Sequence, residues 1–284
     1  MRLIVCRDMG AASIISENEN KRNCKYFLKN PAKKFFENKG IISENLNTLE
    51  KNIKNSKIVV TGTSWPLDIE YKAIKLAKKY NKKIITYLDH WVNYEERFNN
   101  KKEMFPEIII TTDREAFKLA KKKFPFSKIL QKKNLYIETL KKKYKLIRKE
   151  KKYILYIDNH LVDIRKNIIN NKKYFNHDEK SIFENFVSKI KFHNIKSKQI
   201  LFRTHPKKKI KESLMVVKKY KSICKISKNN DLIRDIAKSE IVVGWNSMAM
   251  YIAYRLGKKV MHILPKGFKD NNLPIKDLLY LEKK

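Results

Sequence analysis

The sequence predicts an α/β protein made of two doubly wound parallel sheets, each a domain of its own. Three observations predict it. Short apolar runs alternate with amphipathic stretches of helical period through residues 1–130, as parallel strands with crossover helices require. A polar, lysine-rich stretch of helical pattern, 135–152, then interrupts the alternation and reads as a linker. The alternation restarts at 153 and runs to 263. The expected domains are therefore residues 1–145 and 146–284, within the usual size range for one core each.

Taken in order, 2–7 is a strand of buried type, followed by a small-residue turn around Gly10. A short strand at 26–28 precedes a helix over 31–38, with Pro31 in its first turn. The next strand, 57–60, runs into Thr61-Gly62-Thr63-Ser64-Trp65-Pro66 and a helix over 67–80. Strand 83–88 stops at Asp89-His90-Trp91, strand 107–111 leads to helix 114–123, and strand 153–157 opens the second half. There the strands are 200–203, 221–226, 240–244 and, as the last, 259–263. The helices are 179–191, 232–238 and 248–256.

The second half carries the most informative stretch. Strand 200–203 runs into Arg203-Thr204-His205-Pro206, and strand 240–244 leads through Asn246 and Ser247 into a helix. Such a strand–turn–helix aims backbone amides and the positive end of a helix dipole at its ligand, and a phosphate suits it. Arg203 and His205 would add fixed and titratable positive charge if the two strands share a sheet. Equally, His205-Pro206 ends a strand and Ser247 caps a helix.

Arg-x-His-Pro followed by a serine-bearing strand–turn–helix resembles the donor half of GT-B glycosyltransferases that use cytidine nucleotides. The bacterial sialyl- and polysialyltransferases are one such group, and the CDP-glycerol glycerophosphotransferases another. The usual Ser-Ser or Ser-Thr pair reads Asn246-Ser247 here, which leaves the donor's identity open. The resemblance implies two Rossmann-like domains facing a cleft, the first for an acceptor and the second for the donor. Arg203, Asn246, Ser247, Met248, Asn159 and His160 would hold the donor phosphate and sugar, although Arg203 equally suits a brace for the sheet, and His205 would bind or protonate the departing phosphate.

In the first half, Asp89 ends a strand beside aromatic residues and is a candidate base for an acceptor hydroxyl; Asp8 and His90 are its rivals. Gly10, Thr63, Glu70 and His90 are candidate acceptor contacts. Glu70 equally suits a first-turn acid that favours the helix dipole. His262 reads as a packing residue, and His177 and His193 as surface residues.

Composition narrows the partners. The chain holds 66 Lys and Arg against 29 Asp and Glu, a net charge of +37. That field attracts nucleic acid or an anionic membrane surface. The lysine runs 121–123, 141–143 and 207–209 lack interleaved aromatics, so they read as solvated surface, and nucleic acid is not the expected partner. Three scattered cysteines fit a reducing compartment, and no apolar run is long enough to span a bilayer. No His, Asp or Glu grouping has metal-ligand spacing, so no cofactor or metal is expected.

The expectation is a cytoplasmic, inverting, metal-independent glycosyltransferase in surface-glycan or lipopolysaccharide synthesis, peripheral on the inner face of the membrane. It would move an acidic nonulosonic or Kdo-type sugar from a CMP-sugar to a glycan or lipid-linked acceptor. The alternatives are CDP-glycerol-type phosphotransfer, a UDP-sugar donor, a GT-B-shaped sugar-nucleotide epimerase and a non-catalytic binding protein.

Overall fold

The computed structural model describes residues 1–20, 22–159, 178–191, 193, 195–206, 208–229, 231–245, 247–263 and 273–281. The chain divides into two compact units, Met1–Glu138 and Thr139–Lys284. The division falls within the helix Leu135–Leu146, at the start of the stretch read as a linker.

The first unit is a six-stranded sheet in the order β2-β1-β3-β4-β5-β6. Its strands are β1 Arg2–Cys6, β2 Cys24–Leu28, β3 Ile58–Thr61, β4 Lys83–Tyr87, β5 Ile108–Thr111 and β6 Lys128–Gln131. Every pairing is parallel. A parallel sheet covered on both faces needs strands apolar on both faces. In β1, Leu3, Ile4, Val5 and Cys6 are all fully buried. Alternate residues go to opposite layers. Leu3 and Val5 pack with Phe27, Val59 and Ile84, while Ile4 and Cys6 pack with Ile15, Phe36 and Tyr87. The crossover helix Arg114–Lys123 is fixed at its start by Asp113, whose carboxylate accepts the Ala116 N–H at 2.8 Å, and it ends in three lysines. Both features suit the helix dipole.

The second unit repeats the design, with sheet order β12-β11-β10-β7-β8-β9. The strands are β7 Tyr153–Ile157, β8 Ile200–Arg203, β9 Cys224–Ile226, β10 Ser239–Gly244, β11 Lys259–His262 and β12 Leu279–Tyr280, again parallel throughout. A cluster of Tyr156, Phe183, Phe186 and Phe202 forms its core. His262 is fully buried there, and burial pushes its pKa down to about 4.

Several elements escaped the sequence reading. β6 has only partly buried or exposed residues, as an edge strand does, and so lacks a buried apolar run. The helices Leu49–Lys54 and Ile210–Val217 are too short for a clear period. The expected last strand is followed by the two-residue β12, so 259–263 does not close the sheet. His193, expected at the surface, is half-buried, with its Nε2 at 3.0 Å from the Leu281 carbonyl.

Candidate functional site

In a doubly wound sheet the loops at the carboxyl ends of the strands carry the ligand site. In the first unit that edge gathers Asp8 after β1, Thr63 and Ser64 after β3, and Asp89 and His90 after β4. Thr63 donates to Asp89 Oδ1 at 3.3 Å, and Arg97 donates to Thr63 Oγ1 at 3.0 Å. Arg97 lies 4.0 Å from Asp89 Oδ1 and also donates to the Val92 carbonyl at 3.2 Å, which folds the 92–97 loop back over the edge. The side chains of Arg97 and Asp89 are 5% and 2% exposed. Asp89 is thus a buried, compensated carboxylate, whereas His90 beside it is only partly buried.

Glu70 is also sealed in, at 2% exposure. Its two oxygens accept the Arg7 main-chain N–H at 2.6 Å and the Ser64 hydroxyl at 2.9 Å. It therefore ties the β1 loop to the β3 loop. Burial raises its pKa to about 7, with Asp8 adding to the rise and the hydrogen bonds opposing it. Asp8, partly exposed, accepts from Arg7 Nε at 3.0 Å, and the same guanidinium reaches Asp68 at 3.1 Å. Burial holds the His90 imidazole below its ordinary value, helped by Arg97 and opposed by Asp89 and Asp8. A neutral imidazole flanked by carboxylates can accept a proton at neutral pH.

In the second unit β7 separates β8 from β10, so the β8 and β10 loops stand about 10 Å apart at one edge. The β7 loop joins them. Asp158 Oδ2 accepts the His205 main-chain N–H at 3.4 Å, and the Asn159 side-chain amide donates to the Trp245 carbonyl. Ser247 caps the helix Met248–Arg255, its hydroxyl accepting the Ala249 N–H at 3.2 Å. The amides at Ser247 and Met248 open that helix at the same edge. Gly244 ends β10 where a Cβ would come within 3.1 Å of the Ile157 carbonyl oxygen.

Arg203 turns away from this arrangement. It donates to Asp235 and to the Asn229 carbonyl, and Ser227 donates to Asp235 at 2.7 Å. It braces the β8 and β9 loops against the helix Leu232–Lys238. His160 and Asn246, both expected at the donor site, and His177 lie outside the described residues.

The reading of 207–209 as solvated lysines fails at Lys208. Its side chain is 2% exposed, and its ammonium lies 2.9 Å from both Asp158 oxygens and 3.1 Å from Glu179. Nothing in a triple-lysine run distinguishes its middle member; the available signal was Asp158, a charged residue at the end of a fully apolar strand. Arg7, Arg97 and Asp68 were also missed, since each acquires its partners only through the fold. Among the described residues no group of three His, Cys, Asp or Glu side chains is placed to hold a metal, and no helix is long and apolar enough to cross a membrane.

The two parallel six-stranded units define a GT-B-type fold, and solved structures share it. A UDP-GlcNAc 2-epimerase from Methanocaldococcus jannaschii is 15% identical, with 99% of this chain and 88% of that chain covered and a TM-score of 0.58. The wall teichoic acid polymerase TagF is 15% identical over 92% of this chain and 69% of its own, with a TM-score of 0.51. A glycosyltransferase from Rickettsia africae is 12% identical over 92% and 78%, with a TM-score of 0.51. No family model and no curated protein matches the chain.

Proposed function

We propose that the chain is a GT-B-type transferase that uses a nucleotide-activated donor, with a CMP-linked acidic sugar as the donor and a surface-glycan or lipid-linked hydroxyl as the acceptor. The second unit meets the departing nucleotide and the first activates the hydroxyl. One observation carries the reading: a single sheet edge holds the His205 turn and the capped helix start at Ser247, tied together through Asp158 and Asn159. A titratable imidazole on the same sheet edge as a helix N-terminus suits a phosphate that gains charge as it leaves.

In this mechanism the acceptor oxygen attacks the anomeric carbon from the face opposite the nucleotide. The new C–O bond forms as the bond to the CMP phosphate breaks, so the configuration inverts. His90 takes the hydroxyl proton, and Asp8 and Asp89 stabilise the imidazolium that results. The leaving phosphate is received by the Ser247 and Met248 amides and by His205, which neutralises or protonates it. No metal is needed for these steps. The net charge of +37 suits an acceptor carried at an anionic membrane surface.

A second reading is a UDP-sugar epimerase, favoured by the fold shared with the M. jannaschii enzyme and by the carboxylates near His90. Product analysis separates the two. The protein is incubated with a CMP-linked acidic sugar, with CDP-glycerol and with UDP-GlcNAc, and the products are resolved by mass and by NMR. Release of CMP from the first alone supports the proposal. Interconversion of UDP-GlcNAc with its C2 epimer, without UDP release, overturns it in favour of the epimerase.

A further inference from the structure

We propose that Lys208 is a positioning residue: its buried ammonium, shared between Asp158 and Glu179, closes the 205–208 turn and so sets where the His205 imidazole stands. The inference rests on the reading of His205 as the group that meets the leaving phosphate.

The ammonium is held by two carboxylates. It donates to both Asp158 oxygens at 2.9 Å, and Glu179 Oε1 forms an ion pair with it at 3.1 Å. A buried ammonium is tolerated when it is paired, and this one has two carboxylates against it. The turn is closed a second time by its own main chain, the Lys208 N–H donating to the His205 carbonyl at 2.9 Å. Asp158 is the node. Besides Lys208 it accepts the main-chain N–H of His205 at 3.4 Å and that of Asn159 at 2.9 Å. Asn159 carries the connection to Trp245, the residue that follows β10. One lysine–carboxylate pair thus sets three loops of the edge relative to one another.

Asp158 is 3% exposed, and burial pushes its pKa up against the opposing charge of Lys208. Without that charge the carboxylate is left buried and uncompensated, and it takes up a proton or draws in water. In either case the acceptor for the His205 N–H changes and the turn loses its anchor. The neighbouring Lys209 and Lys211 are exposed and touch none of this.

The test uses the full chain with ring-labelled histidine, the His205 signal being assigned from the spectrum of His205→Gln. Lys208→Met should shift that signal and lower kcat for nucleotide release about tenfold while KM changes little, as displacement of one reacting group does. Asp158→Asn/Lys208→Met leaves no uncompensated charge at Asp158, and Glu179 is partly exposed and can be solvated, so the pair carries the test if the single variant fails to fold; it too should show the shifted signal. Lys211→Met should change neither. A folded variant whose His205 signal is unmoved overturns the proposal, whatever its activity. A moved signal in a protein that cleaves no nucleotide-sugar supports the latch and removes the transferase reading instead.

Discussion

A methyl group built onto Gly10 would lie 2.0 Å from Oδ2 of Asp89, closer than any real contact. The helix Met9–Asn18 starts against the β4 loop at this point, and only a residue without a side chain fits. Asp89 cannot swing aside, because Thr63 holds its other oxygen and Arg97 stands beside it. Gly10→Ala should therefore cost about 1–3 kcal/mol of stability, the range for overpacking. A denaturant melt measures this. A cost near zero would mean that Asp89 has room to move and is not a fixed part of the edge.

The same pinning separates the three candidate bases. Asp89 is buried and compensated, Asp8 is held by Arg7, and His90 is partly exposed with its pKa depressed chiefly by burial. His90→Gln should lower turnover by about 10²–10⁴, the usual contribution of a general base. Asp8→Asn should leave measurable activity but move the acid limb of the kcat/KM profile. Asp8 raises the imidazole's affinity for protons, so removing its charge shifts that limb to lower pH. Loss of turnover in Asp8→Asn with full activity in His90→Gln would reverse the assignment.

Glu70 makes a stability prediction with a definite sign. Its native pKa is raised to about 7, well above that of an unfolded chain. The native state therefore holds a proton that the unfolded state has released, and stability falls as pH rises between roughly 4.5 and 7. Below that window the contribution is complete, and above it the contribution is gone. A glutamine at this position would mimic the protonated acid, its carbonyl accepting the Arg7 N–H and its amide donating to Ser64. Glu70→Gln should thus gain up to about 3 kcal/mol over wild type at pH 8 and much less at pH 5, read from melts at both. An equal difference at the two pH values would refute the raised pKa.

These residues also show what a sequence can and cannot disclose. The strands were legible because a parallel sheet buried on both faces imposes unbroken apolar runs, as in Leu3–Cys6 or Val242 and Val243. Asp8, Asp89, His90 and His205 were legible as residues of the carboxyl edges, because that placement follows from strand order and direction alone. The roles within the site were not. Whether Arg203 meets a ligand or Asp235, and whether Lys208 is solvated or buried, depends on which loops pack together. Glu70 reads equally as an acceptor contact and as a solvent-facing first-turn acid; it does stand in the first turn, but its tie between two loops is hidden because Arg7 and Ser64 contribute to it from other elements.

Ser247 permits a test that separates capping from phosphate binding. Its hydroxyl accepts the Ala249 N–H at 3.2 Å, so Ser247→Ala should cost about 1 kcal/mol through loss of the cap. That loss alone says nothing about a ligand. Aspartate caps a helix as well as serine does, and its charge favours the helix N-terminus, so Ser247→Asp should match wild-type stability or exceed it. A phosphate brought to the same amides would instead meet a fixed negative charge. Ser247→Asp should therefore abolish the thermal shift that CMP induces in the wild-type protein, while Ser247→Ala retains part of it. If Ser247→Asp binds CMP as tightly as wild type, the phosphate does not sit at this helix, and the donor site must be sought at another loop of the edge.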